Sequence, residues 1–119
     1  MTAAAATSEQ TLALPQLVAL ADPTRLALLT LLREREQCVC HLVARLDLKQ
    51  SVVSHHLGIL RRAPIVTVRP HPADRRWLYY RLHRPALAAL SETLAWLSDE
   101  RDYDATPLPC PADASPEDA

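Results

Sequence analysis

Ser51-Val52-Val53-Ser54-His55-His56-Leu57-Gly58-Ile59-Leu60 reads as a helix with two unlike faces. At about 100° of rotation per residue, Val53, Leu57 and Leu60 fall on one side, while Ser51, Ser54, His55, Gly58 and Arg62 fall on the other. The first face is a core seam. The second is small and polar, so it can enter a groove. The spacing predicts this helix over about Gln50 to Arg62, closed by Pro64. Before it, Asp47-Leu48-Lys49 makes a turn, and a short helix is expected from about Cys38 to Leu46 with Leu42, Val43 and Leu46 inward.

Working outward, Leu12 to Ala21 carries Leu14, Leu17, Val18 and Leu20 and predicts a first helix, with Pro15 confined to its opening turn. Asp22 can cap a second helix that Pro23 starts and that runs to about Arg35. Leu26, Leu29 and Leu32 form its inward stripe, with Leu28 and Leu31 beside it. On the other side, Ile65-Val66-Thr67-Val68-Arg69 predicts a strand and Trp77 to Leu82 its partner. Their connection, Pro70 to Arg76, holds two prolines and Asp74, so a hairpin with a stiff, basic tip is expected. Pro85 starts a last helix to about Glu100, whose seam of Leu87, Leu90, Leu94 and Leu97 is core or dimer contact. The order is therefore mainly α with a small β-hairpin wing, a winged helix-turn-helix. Residues 12–101 form one domain, between a disordered tail at 1–11 and a mostly disordered acidic, proline-rich tail at 102–119.

Net charge of −1 conceals a strong asymmetry. Lys49 to Arg84 holds eight basic residues against Asp74 alone, whereas Pro85 to Ala119 holds eight acids against Arg101. A basic stripe on a near-neutral chain fits a DNA-facing surface. No apolar run approaches the ~20 residues that span a bilayer, and Met1 to Gln10 lacks the features of a signal peptide. A cytoplasmic protein without a membrane partner is expected, and three cysteines in a reducing compartment point to thiol chemistry.

Cys38-Val39-Cys40 places two thiols just ahead of the reading helix. Soft trivalent metalloids prefer thiolate to oxygen or imidazole. On a regular helix, residues two apart point about 200° away from each other, so capture of one small atom needs a distorted first turn or a segment that is not helical. A three-sulfur site needs a third thiol, and Cys110 is the remaining cysteine; it is either that ligand or a tail thiol without a role. His41 is a capping or surface histidine, with a fourth-ligand role as the alternative.

Three stretches together resemble the ArsR/SmtB metalloregulator family: Ala21-Asp22-Pro23-Thr24-Arg25-Leu26, Cys38-Val39-Cys40-His41-Leu42 and Ser51 to Leu60. Arg76-Trp77-Leu78-Tyr79-Tyr80-Arg81-Leu82 is similar to the family's second wing strand. Cys-Val-Cys resembles the arsenic and antimony branch, although the Asp and further Cys common there are His41 and Val43 here. The resemblance implies an arsenite- or antimonite-responsive repressor, with As(III) or Sb(III) as effector on Cys38, Cys40 and Cys110 and no organic cofactor. It also implies a homodimer joined through the first and last helices, by Leu17, Leu20, Leu87, Leu90, Leu94 and Leu97.

In such folds the reading helix lies in the major groove of double-stranded operator DNA. Gln50, Ser51, Ser54 and His55 are the base-reading candidates. Lys49, Arg61 and Arg62 suit phosphates, as do Arg69, Arg75 and Arg76 on the wing. His56 is expected to bond within the fold. The competing classes are a redox- or Cd/Pb-responsive repressor of the same fold and a small thiol-dependent arsenate reductase. The last lacks a glycine-rich oxyanion cradle, because the chain's one glycine, Gly58, lies inside a helix. No enzyme is expected.

Overall fold

The computed structural model describes residues 14–111. The N-terminal tail expected at 1–11 and the end of the C-terminal tail, 112–119, lie outside the described residues. Helix α1 spans Leu14–Leu20 and α2 spans Pro23–Leu32. Strand β1 (Gln37–Cys38) leads into α3 (Val39–Leu46), and α4 covers Gln50–Arg62. The wing is β2 (Val66–Pro70) and β3 (Leu78–Leu82), and α5 (Arg84–Ser98) follows. From Asp99 to Pro111 there is neither helix nor strand.

The caps explain where the helices begin and end. Asp22 has extended backbone and accepts from the Arg25 N–H at 3.0 Å, and Pro23 occupies the first turn of α2. That helix stops at Leu32, short of the expected Arg35, because Arg33 to Glu36 offers only charged side chains and no apolar contact to hold another turn. Asp47 ends α3 in the left-handed region at φ 53°, which turns the chain into α4. The buried stripe of α2 is Leu28, Leu29 and Leu32; Leu26, expected inward, is exposed. Leu28 and Leu32 are a turn apart with Leu29 between them, and Leu26 sits well round the helix from that stripe.

Leu28, Leu32, Leu42, Val53, Leu57, Leu60, Ile65 and Val66 are the fully buried side chains and form one core between α2, α3, α4 and the sheet. Val53, Leu57 and Leu60 are the predicted seam of the reading helix. Burying a Val- or Leu-sized side chain contributes about 1.5–3 kcal/mol.

The expected two-stranded hairpin is the larger part of a three-stranded antiparallel sheet, ordered β1-β3-β2. Val66 pairs with Leu82 and Arg69 with Tyr79, while on the other edge of β3 Gln37 pairs with Tyr80 and Cys38 with Tyr79. Cys38, expected at the start of a helix, is thus a strand residue. Its backbone is extended (φ −85°, ψ 167°), and Val39 begins α3. Sheet pairing to β3 outcompetes a further helical turn there.

Candidate DNA interface and thiol site

α4 packs on α2 and α3 through its apolar face and leaves Gln50, Ser51, Ser54 and His55 exposed on the outside. Lys49, Arg61 and Arg62 are exposed at its two ends. A bonded cluster sets the helix against its neighbours. Arg25 donates to the Ala19 carbonyl at 2.5 Å and to the Val18 carbonyl at 3.5 Å, which serves orphan acceptors at the end of α1. Its other arm meets His56 Nδ1 at 3.2 Å, and His56 Nδ1 lies 3.8 Å from the Asp22 carboxylate. His56 therefore bonds within the fold. The Arg25 backbone N–H is the chief cause that holds the Asp22 carboxyl below its ordinary range; burial opposes it, and the Arg25 guanidinium adds to the lowering. At the far end of α4, Gln16 donates to the Ala63 carbonyl at 2.9 Å.

The wing tip is stiff for reasons beyond its prolines. His71 Nδ1 accepts from the backbone N–H groups of Ala73 and Asp74, at 2.9 and 3.2 Å. Asp74 accepts from the Arg76 guanidinium at 3.0 and 2.8 Å and from the Arg76 N–H at 3.1 Å, which lowers its pKa. Arg75 and Arg76 are both exposed at this tip, and Arg76 is committed to Asp74. Arg69 stands further back, donating to Glu36 at 2.7 Å and lying over the Tyr79 ring at 5.2 Å. Arg81 approaches Glu36 at 3.8 Å. Both wing arginines face the loop before β1.

The thiols sit where β1 passes into α3. Their sulfurs meet, with Cα atoms 5.5 Å apart, because the extended backbone at Cys38 removes the divergence that a regular helix would impose. Cys38 is 5% exposed, whereas Cys40 is open to solvent. His41 Nδ1 accepts from the Cys38 backbone N–H at 3.4 Å and lies 3.1 Å from the Cys38 sulfur. A backbone N–H can only donate, so Nδ1 is the acceptor in that contact. His41 thus caps α3, and the ligand atoms of Cys38, Cys40 and His41 lie within 4.8 Å of one another. Cys110 is exposed on the segment after α5 and is not brought into this group.

Gln37, 4% exposed, holds the strand end in place: its amide donates to the Leu31 carbonyl at 2.7 Å, and its oxygen accepts from Arg45 at 3.4 Å. Sequence reading passed over Gln37, and a two-residue strand is too short to carry a period. It also passed over a cavity of about 540 Å³ beside the thiols, walled by Val39, Gln50, Arg76, Trp77 and Leu78. The cavity joins the thiols, the first residue of α4 and the tip of the wing.

A helix-turn-helix with a β-wing and an exposed, basic-flanked reading helix defines a DNA-binding transcriptional regulator and not an enzyme. The comparisons agree. Residues 22–68 match the bacterial regulatory protein arsR family. The chain is 39% identical over 89 residues to the arsenical resistance operon repressor of Escherichia coli, covering 72% of this chain and 74% of that one. It is 51% identical over 69 residues to the arsenic resistance transcriptional regulator ArsR1 of Pseudomonas putida, over 54% of this chain and 48% of the relative. A solved structure of a possible transcriptional regulator for arsenical resistance superposes with a TM-score of 0.63 at 39% identity, covering 75% and 91% of the two chains. The chain belongs to the ArsR family.

Among the described residues, no helix is long and apolar enough to cross a membrane.

Proposed function

We propose that this repressor responds to arsenite or antimonite, binds double-stranded operator DNA as a homodimer, and leaves it when the Cys38 and Cys40 thiolates take the metalloid. One observation carries the reading: the two sulfurs meet at a junction whose strand is paired to the wing and whose helix packs on α4. Drawing the sulfurs round a metalloid repositions Cys38 against Tyr79 and the first turn of α3 against α4, so both DNA-facing elements feel the event. Full release takes a differential affinity of about 10⁴, roughly 5.5 kcal/mol. Cys110, from the same chain or a partner, is the proposed third sulfur.

α1 packs on α5, and Leu14, Leu17 and Val18 on one helix and Leu94, Trp96 and Leu97 on the other remain exposed. These apolar groups are the proposed dimer face. Leu90 is buried in its own protomer, and Leu20 and Leu87 pack against the same core, so their contribution is to support that face.

Duplexes selected by the reduced protein from a random pool supply the test. Stoichiometric arsenite is expected to release them in a mobility shift, while Cys38→Ser and Cys40→Ser bind DNA and ignore arsenite. A serine variant that still responds overturns the assignment. X-ray absorption at the arsenic edge, with and without Cys110→Ser, counts the sulfurs. The 5.5 Å separation of the Cys38 and Cys40 Cα atoms also lies within the range of bridged cysteines, which favours oxidation of the pair as a second reading. Under that reading peroxide alone releases DNA and arsenite is inert.

A further inference from the structure

Arg35, Arg81 and Arg84 come from three separate parts of the fold, the loop after α2, strand β3 and the start of α5, and line one cavity of about 460 Å³. We propose that this cavity is a second ligand site that takes a phosphate dianion, as free phosphate or as the head of a small phosphate monoester. The site stands apart from both the thiols and the reading helix. Cys38 pairs with Tyr79 near the start of β3, whereas Leu82, His83 and Arg84 line this cavity at the strand's other end. Along β3 from Leu78 to Leu82 the separation is about 13 Å. No residue of α4 contributes to the wall.

Charge selects the ligand class. Glu36 is the one carboxylate in the lining, and Arg69, which stands outside it, holds its Oε2 at 2.7 Å. Its Oε1 lies 3.8 Å from Arg81, beyond hydrogen-bond reach, so the Arg81 guanidinium remains available. Among the described residues, neither Arg35 nor Arg84 has a carboxylate within ion-pair distance, and the neighbouring Glu34 is committed to Arg45 at 2.8 Å. Leaving His83 aside, Arg35, Arg81 and Arg84 against Glu36 give the lining +3 −1 = +2, the charge that a dianion neutralises.

Shape narrows it further. A guanidinium offers paired donors in a planar fork that matches two oxygens of a phosphate, and three such forks around one space suit a tetrahedral anion better than a flat or monovalent one. α5 begins at the same wall and His83 makes no side-chain capping bond, so the helix dipole adds positive potential to that of the arginines. Leu32, Leu82 and Pro85 supply apolar wall. The volume lies within the range of about 300–1,000 Å³ usual for small-molecule sites, which leaves room for the organic body of a monoester.

The test titrates the full-length protein with inorganic phosphate, phenyl phosphate and nitrate, by calorimetry and phosphorus NMR, at low ionic strength and a mildly alkaline pH where phosphate carries its second charge. Both phosphates are expected to saturate one site per protomer, and nitrate to show no saturable binding. Arg35→Gln and Arg84→Gln should each weaken phosphate by about tenfold, while Arg33→Gln, an exposed neighbour outside the wall, and Arg75→Gln, at the wing tip, stay within about twofold of the parent. Because all of these side chains are exposed, melting curves without phosphate should superimpose, and added phosphate should raise the Tm of the parent but not of the Arg35 and Arg84 variants. Tighter binding of phenyl phosphate assigns a monoester, and equal binding the free ion. Equal losses in all four variants, saturable binding of nitrate, or no saturable binding of either phosphate overturns the proposal.

Discussion

Lys49→Ser should move stability and DNA affinity in opposite directions. Lys49 stands at the N-cap of α4 with φ −65° and ψ 144°, the geometry of a capping residue, yet its side chain makes no capping bond. Its carbonyl accepts from the N–H groups of Val52 and Val53, both at 3.1 Å, but no Lys49 side-chain oxygen exists to serve the donors of the first turn. Serine supplies that acceptor and removes a cation from the positive end of the helix dipole, for about 1 kcal/mol of stabilisation. In a domain of this size that is a rise in Tm of roughly 4–8 °C. The same change deletes a proposed phosphate contact, and each lost contact lowers the slope of log K against log salt by about 0.9. From 50 to 200 mM salt, one contact corresponds to about a 3.5-fold difference in affinity. Any duplex serves, because the phosphate contribution is independent of sequence. Thermal melts and fluorescence anisotropy at four salt concentrations measure the two effects. A fall in Tm refutes the capping argument, and an unchanged salt slope refutes the placement of Lys49 against phosphate.

Gly58→Ala should raise stability by about 1 kcal/mol, since glycine inside a helix is unfavourable relative to alanine. The group an added Cβ meets is the flexible guanidinium of Arg62, 3.3 Å away, which can swing outward; a lower urea midpoint would contradict this. Acid should weaken the α1-α2-α4 junction. The Asp22 pKa is depressed, chiefly by the Arg25 N–H, so its contribution is complete above the unfolded carboxylate value and is lost as pH falls through the lower folded value. Stability curves of the parent protein and Asp22→Asn should converge toward low pH, and curves that stay parallel would remove Asp22 from the account.

The segment that carries the thiols touches two elements rather than one. α3 packs on α4, and β1 also binds the wing through Gln37 with Tyr80 and Cys38 with Tyr79. Glu36, immediately before β1, gathers Arg69 and Arg81 from the two wing strands. Exposed ion pairs of this kind contribute little stability. Their position matters more, because a shift of the 36–38 segment alters the wing's charge array at the same time as its backbone pairing.

Features that repeat along a helix could be read from residue order. Val53, Leu57 and Leu60 recur at helical spacing, so α4 was legible to its ends, with Gln50 and Arg62 as its bounds and its polar face outward. Asp22-Pro23 and Pro64 marked boundaries because a cap and a ring act locally. The arrangement of the thiols depends instead on contacts between distant parts of the chain. Cys38 is extended because β3, some forty residues later in the chain, offers it a pairing edge, and no local pattern encodes a strand of two residues. The same long-range packing set Trp77 and Cys40 on the wall of one cavity, brought Arg25 beside His56, and left Cys110 apart from the other two thiols. Periodicity is a property of neighbours in sequence; a cavity is a property of neighbours in space.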